Sequence, residues 1–331
     1  MDKDMNTNAS ASAYGWCFQV GAGIVLMLDN IKKFISIKME GKLDDIEIEL
    51  PNGKIYAQAK SVIQIDSKNN ISKKLNDALN ILNNDNKNGD VIQLIYITNI
   101  SNPFSSKTKS VFVYGHSYEY SILSVKEKKK IDKIVDINFP KEKFKVQLLN
   151  FFGEDMNKFD SVKDKITEFL RTAINDISYA NIVLDNLISR FMVNCSDIPD
   201  IDKKCTLTKK EIVFSIIVVI TDRSINEDDF LKVSDYENFS DLKAKYNNYL
   251  ESKICSYEYI VGIIGDYQSS KSQDGKRVSK YEFINKEWEK YKNDFSCIND
   301  SKEREAIVKY LLLSIITNKE KINRMKEAAN L

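Results

Sequence analysis

The chain has 331 residues, of which 43% are apolar and 29% are charged, a composition typical of globular proteins and not of disordered ones. Its 49 lysine and arginine residues are balanced by 48 acidic residues, so the net charge is only +1. Affinity for DNA comes largely from neutralising phosphates. The balance therefore argues against a protein that holds DNA by overall charge alone, unless its basic residues cluster or a partner contributes.

The five cysteines are scattered without a CxxC pair, and the polar N-terminus shows no signal-peptide pattern. Both features predict a cytoplasmic protein with reduced thiols. The sequence contains a single histidine, His116, so we expect no zinc site. The longest apolar run, residues 212–220, is too short to cross a bilayer, and we expect no membrane partner.

Hydrophobic periodicity divides the first half of the chain into helices and strands. A largely buried helix is predicted over residues 13–31, and a first strand over residues 34–39. A β-hairpin follows within residues 40–60, then a helix at 71–82 and a buried strand at 91–98. The order α–β–β–β–α–β predicts an α/β core in which helices cover a mixed sheet.

A change of character near residue 155 separates two predicted domains, residues 1–155 and residues 156–331. Before the boundary we expect a strand at 110–114, a helix at 125–135, and an apolar stretch at 144–152 that could be a strand or a short helix. After it the pattern is mainly α-helical with few strand signals, and the predicted helices lie at residues 161–178, 179–191, 208–220, 241–250, 278–293 and 302–329.

The hairpin at residues 40–60 carries the residues that point to a function. Apolar residues alternate on either side of a Pro51-Asn52-Gly53 turn, which is the pattern of two antiparallel strands. A hairpin of this length can bring Asp45, at the start of one strand, beside Gln58 and Lys60 at the end of the other. An acid, an amide oxygen and an ammonium group at neighbouring strand ends suit a hard metal ion and a phosphate.

Three motifs carry a resemblance to a known family: Tyr14-Gly15-x-x-Phe18-Gln19, Asp44-Asp45-Ile46 and Gln58-x-Lys60. Together they resemble the N-terminal nuclease domain of bacterial anti-phage effectors, a PD-(D/E)xK-type DNA endonuclease. That domain occurs fused to cyclic-nucleotide-sensing SAVED domains in CBASS defence, and as the nuclease subunit of Lamassu-type systems built on an SMC-like ATPase. The resemblance covers roughly residues 11–155 and implies a restriction-endonuclease-like α/β core, followed here by the helical region.

The resemblance also implies roles for individual residues. Asp45 would bind Mg²⁺, which Mn²⁺ can replace, and Gln58 would be the second metal ligand in place of the acid of the (D/E)xK pair. Lys60 would orient the attacking water and offset phosphate charge, and Gln19 would face the site from the first helix. Glu40 is a candidate additional ligand.

The function implied is hydrolysis of phosphodiester bonds in double-stranded DNA by an effector of an anti-phage system. The helical region lacks the βαβ pattern expected of a SAVED domain, which favours the Lamassu-like arrangement, in which a separate partner holds the nuclease in check. We therefore expect double-stranded DNA, an SMC-like ATPase and an accessory subunit as partners. We also expect a homo-oligomer as the active form, because cutting both strands needs two sites or repositioning.

Two other interpretations remain open at this point. A stand-alone restriction-type nuclease that recognises modified DNA would need a basic, aromatic-lined surface on the C-terminal region. A catalytically inert assembly subunit would keep the fold without the chemistry, and Gln58 in place of an acid lowers the negative charge available to a metal ion.

Overall fold

The computed structural model describes residues 6–39, 45–64, 70–85, 89–105, 111–196, 206–222, 225–254, 256–270 and 275–331. The chain divides into two compact units. Unit 1 comprises residues 1–171 and 187–209, and unit 2 comprises residues 172–186 and 210–331. This division differs from a single boundary near residue 155, because the chain enters unit 2 at residue 172, returns to unit 1 at residue 187 and leaves it again at residue 210.

Unit 1 is built on a mixed sheet. Its described strands are β1 (Ser36–Met39), β2 (Ile46–Leu50), β3 (Gly53–Lys60), β4 (Val91–Thr98), β5 (Ser117–Glu119), β6 (Phe144–Leu148) and β7 (Thr206–Thr208). They are ordered β5-β6-β4-β3-β2-β1-β7, with β4 parallel to both β3 and β6 and the other neighbours antiparallel. With α1 (Asn6–Asp29) before β1 and α2 (Ile71–Asp85) between β3 and β4, the predicted order α–β–β–β–α–β is confirmed.

Helix α2 covers one face of this sheet. Its residues Leu75 and Leu79 belong to a buried cluster that also contains Tyr56 of β3 and Tyr96 of β4. Because side chains alternate between the two faces of a strand, every second residue of β3 from Tyr56 onward lies on the α2 face. Gln58 and Lys60 are the next two such residues.

Helix α1 covers the opposite face. Gly23 packs so closely on β1 that a Cβ at this position would lie 2.9 Å from the sulfur of Met39. The strand register places Met39 opposite Ile46, and Ile46 opposite Ala57. Directly opposite residues of antiparallel strands share a face, so Ala57 lies on the α1 side of the sheet, away from Gln58.

Among the described helices, the stretch Ser10–Asp29 of α1 is long and apolar enough to cross a membrane by length and composition. More than half of that stretch is buried inside the structure, and core helices of globular proteins meet the same criterion. Its residues Phe18, Val20 and Ile24 are fully buried. Helix α1 is therefore packed as a core helix of unit 1.

The prediction of a strand at residues 110–114 is wrong over its described part, residues 111–114, which form loop and turn. Val111 and Val113 are 75% and 56% exposed, so their β-branched side chains bury little surface that would hold them in a sheet. Gly115, with a φ of +79°, turns the chain, and the strand β5 begins only after it. The stretch at 144–152, left open between strand and helix, contains the strand β6.

The chain after β6 is mainly α-helical, as predicted. Its described helices are α4 (Asp160–Ile174), α5 (Ala180–Ser196), α6 (Lys209–Asp222), α7 (Glu227–Phe230), α8 (Phe239–Ile254), α9 (Tyr257–Ser269), α10 (Lys280–Tyr291), α11 (Ser301–Thr317) and α12 (Lys319–Ala329); α3 (Val125–Asp132) precedes β6. The single helix predicted at 302–329 is two helices, because Asn318 leaves the helical conformation and its side chain donates to the Ser314 carbonyl (2.8 Å). Strand β7, only three residues long, is absent from the sequence prediction.

The turn between β2 and β3 depends on Gly53. Its φ of +137° disfavours any L-residue, and an added Cβ would lie 2.2 Å from the Asp90 carbonyl oxygen. We expect Gly53→Ala to lower the free energy of unfolding by about 2 kcal/mol or more, measured by urea denaturation.

The matched control for this substitution is Gly89→Ala. Gly89 also has a positive φ (+80°), but an added Cβ would meet nothing within 4 Å. This variant should lose only the backbone term, about 1 kcal/mol. Equal losses in the two variants would show that the approach of Asp90 to the turn does not constrain the hairpin.

Candidate active site

Asp45 and Lys60 meet where β2 begins and β3 ends. The carboxylate oxygen Oδ2 of Asp45 accepts a hydrogen bond from the Lys60 ammonium group (3.0 Å) and another from the backbone N–H of Ala59 (2.8 Å). The two side chains are only 17% and 23% exposed. The structure thus brings together two of the predicted site residues in a largely enclosed, charge-assisted contact.

The register of the hairpin explains this contact. Ile46 pairs with Ala57 in the antiparallel ladder, so one step further along the two strands Asp45 comes opposite Gln58, with Lys60 diagonal to it. All three side chains therefore belong to the face covered by α2. Gln58 is fully buried, whereas Asp45 and Lys60 are partly exposed.

The donor set suits a divalent cation such as Mg²⁺. Both recorded contacts of Asp45 fall on Oδ2, so within the described part of the chain Oδ1 has no protein donor. A carboxylate oxygen and the neighbouring amide carbonyl of Gln58 are hard oxygen ligands. Mg²⁺ binds few protein oxygens and keeps several waters. Asp45 and Gln58 are thus the residues that could hold the ion.

The other predicted site residues are not seen in this contact. Glu40, and Asp44 of the second motif, fall outside the described residues. Gln19 is one helical turn before Gly23 on α1, which places it on the opposite face of the sheet from Gln58. Its buried Oε1 has no hydrogen-bond partner among the described residues, and none of the recorded hydrogen bonds joins it to Asp45 or Lys60. Its role in the site stays a prediction.

Asn99, which the motifs did not identify, holds the chain immediately after Lys60. Its side chain is fully buried and makes a two-way contact with the backbone of Val62, accepting from the N–H (2.8 Å) and donating to the carbonyl (2.7 Å). One residue earlier, the Thr98 hydroxyl donates to the Lys60 carbonyl (2.5 Å). The end of β4 thus fixes the end of β3 through side chains as well as through the ladder.

Tyr14 connects this network to α1. Its hydroxyl donates to the Phe151 carbonyl and accepts from the Asn99 side chain (3.2 Å). Burial raises the pKa of Tyr14 to about 12, so the hydroxyl keeps its proton near neutral pH and remains a donor. Tyr14 of the first motif therefore helps to hold the ends of β3 and β4 through Asn99, and it is not part of the Asp45–Lys60 contact.

An open cleft of about 350 Å³ begins at Ser61, the residue after Lys60, and Tyr14 and Lys74 also line it. In the ranges that the structure describes, no three His, Cys, Asp or Glu side chains form a metal-binding group, so a cation here would depend on Asp45 with an amide oxygen. Comparisons of the chain with protein-family models, with curated proteins and with solved structures found no match.

Proposed function

We propose that the chain is a metal-dependent endonuclease of double-stranded DNA whose catalytic site contains Asp45, Gln58 and Lys60. The observation that carries this proposal is the contact of Lys60 with one oxygen of Asp45, at 3.0 Å, while no donor among the described residues reaches the other oxygen. The order α–β–β–β–α–β and the parallel pairing of β3 with β4 support a restriction-endonuclease-like core.

Asp45, Lys60 and a bound cation would have different roles in the hydrolysis. A bound Mg²⁺ would polarise the phosphoryl group and make hydroxide available near neutral pH. Asp45 holds the Lys60 ammonium group in place, and an ammonium group has three N–H donors. Lys60 can therefore keep its contact with Asp45 while it donates to the attacking water or to a phosphate oxygen that gains charge in the transition state.

The proposal extends to an anti-phage effector of the Lamassu type, held in check by an SMC-like ATPase and an accessory subunit. The net charge of +1 supports this extension, since a partner that brings the DNA relieves the nuclease of binding it alone. Cutting both strands requires two sites or repositioning of one, and we propose a homo-oligomer as the active form. Light scattering on the cutting species tests this, and a monomeric species would contradict it.

The test of the activity is cleavage of supercoiled plasmid by the purified chain, alone and with its operon partners. We expect Asp45→Asn to lower the rate about 100-fold or more, because the substitution removes the carboxylate that is proposed to bind the metal ion. Chelation of divalent cations with EDTA should abolish cleavage by the wild type.

Glu47→Gln is the matched control. Glu47 forms an ion pair of the same kind with Lys54 (2.9 Å) on the same hairpin, with similar exposure, 24% and 30%. The control should cleave within about twofold of wild type, since Glu47 pairs with Lys54 and takes no part in the Asp45–Lys60 contact. Equal rates in Asp45→Asn and wild type, or activity that survives EDTA, would disprove the proposed site.

The inert assembly subunit is the second candidate, and the burial of Gln58 is the observation that favours it. Gln58 is fully buried, so solvent does not reach the amide that would complete the metal site. Absence of cleavage by the wild type with Mg²⁺ or Mn²⁺ and all operon partners would support this candidate.

A further inference from the structure

The cleft beside β3 has walls from three parts of unit 1. Ser61 and Val62 continue from Lys60, Tyr14 comes from α1, and Asn70 and Lys74 come from the start of α2. Its volume is about 350 Å³. A ligand in this cleft would lie next to the proposed catalytic site and would not occupy that site.

Lys74 is the charged residue among the described residues that line this cleft. It is half-buried, and burial lowers its pKa, with Lys60 lowering it further and Asp77 opposing both effects more weakly. Across the described ranges, its ammonium group has neither an ion pair nor a hydrogen bond, whereas Lys60 is paired with Asp45 and Lys54 with Glu47. A half-buried cation next to a second cation is costly unless an anion binds there.

The start of α2 adds to the positive potential. Its first turn contains no acidic residue, so no carboxylate of that turn offsets the positive end of the helix. The cleft also has an apolar side: Ile63 is 53% exposed there. Positive charge combined with an apolar wall suits a phosphate that is joined to a sugar better than a bare ion.

We propose that this cleft binds a phosphate of a polynucleotide backbone, next to the one that is cut, and that Lys74 contacts it. This inference rests on the proposed function, because it assigns the cleft to the same strand that Lys60 would meet. Lys74 is then a substrate-binding residue that none of the three motifs contains.

The test is binding of a fluorescently labelled DNA duplex by the full-length chain, alone at low salt and together with its operon partners, in EDTA so that hydrolysis does not consume the probe. We expect Lys74→Gln to weaken binding roughly tenfold and to lower the slope of log K against log salt by about one, as for the loss of one phosphate contact. Lys74→Arg should restore most of the affinity. The control Lys73→Gln removes an exposed lysine one residue away and should bind within about twofold of wild type.

Thermal unfolding separates a binding role from a structural one. Lys74→Gln removes a half-buried charge that has no ion pair among the described residues, so its midpoint should equal or exceed that of wild type, whereas a structural lysine would lower it. Inorganic phosphate provides the second arm. If millimolar phosphate competes with the duplex only weakly, the backbone is the ligand, and if phosphate binds while the duplex does not, the inference is wrong.

Equal affinity and salt slope in wild type and Lys74→Gln, or no duplex binding by the wild type, would also overturn the inference that this cleft binds a backbone phosphate. Failure of this inference differs from failure of the proposed function. If the protein binds DNA through Lys74 but never cleaves it, the proposed role of the cleft stands and the proposed nuclease activity fails. If the Lys74→Gln variant cleaves DNA at the wild-type rate, the proposed nuclease activity stands and the proposed role of the cleft fails.

Discussion

Replacing Lys60 by alanine is expected to slow DNA cleavage at least about 100-fold, the loss typical when one group that stabilises transition-state charge is removed. The fold should survive, because the second partner of Asp45, the Ala59 N–H at 2.8 Å, belongs to the backbone and remains. The loss should appear in kcat more than in KM, since Lys60 is proposed to act on charge that develops during the reaction. Single-turnover cleavage of a labelled duplex measures it.

Lys54→Ala is the matched control for Lys60→Ala. Both lysines lie on β3 and pair with an acid on or beside β2, but Lys54 is at the turn end of the hairpin. The control should retain cleavage within about twofold, because Lys54 pairs with Glu47 and does not contact Asp45. If Lys60→Ala cleaves as fast as Lys54→Ala, Lys60 has no catalytic role.

Asn99→Ala is expected to lower the free energy of unfolding by about 3 kcal/mol. The substitution leaves the N–H and the carbonyl of Val62 without their partners in a place where Val62 is only 6% exposed. Each buried polar group left unpaired costs about 1–3 kcal/mol. Urea denaturation measures the loss, and cleavage assayed well below the unfolding midpoint should also fall, because the chain after Lys60 loses its anchor.

Asn30→Ala provides the comparison. Asn30 also donates to a backbone carbonyl, that of Leu26 at 2.8 Å, but it makes this contact in a half-buried position at the end of α1. Its loss should be about 1 kcal/mol. A loss below about 1 kcal/mol in Asn99→Ala would mean that water or a shift of the backbone replaces the contact, and that Asn99 does not hold the strand end.

Local sequence patterns were enough to predict the hairpin and which of its residues share a face. Alternating apolar residues on both sides of Gly53 determine which side chains share a face, and therefore place Asp45 on the same face as Gln58 and Lys60. The buried strand β4 was predicted with its observed bounds, Val91–Thr98, because a continuous run of β-branched and aromatic residues is typical of a buried strand.

Contacts between distant parts of the chain were not predictable in the same way. Asn99 acts on Val62, 37 residues earlier, and nothing in the residues around it indicates that partner. Lys74 becomes unusual only because the fold brings it near Lys60 and half-buries it. The short edge strands β5 and β7 are held by pairing with β6 and β1, and three residues are too few to show an alternating pattern.

The central claim is that Asp45 holds the catalytic cation beside Lys60. The most direct measurement is anomalous scattering from crystals of the full chain soaked in Mn²⁺, for the wild type and for Asp45→Asn. We predict a manganese peak at coordination distance from Oδ1 of Asp45, the carboxylate oxygen that Lys60 does not contact, in the wild type, and its loss in the variant. A wild-type map with no manganese at Asp45, or a peak that persists unchanged in Asp45→Asn, would contradict the account.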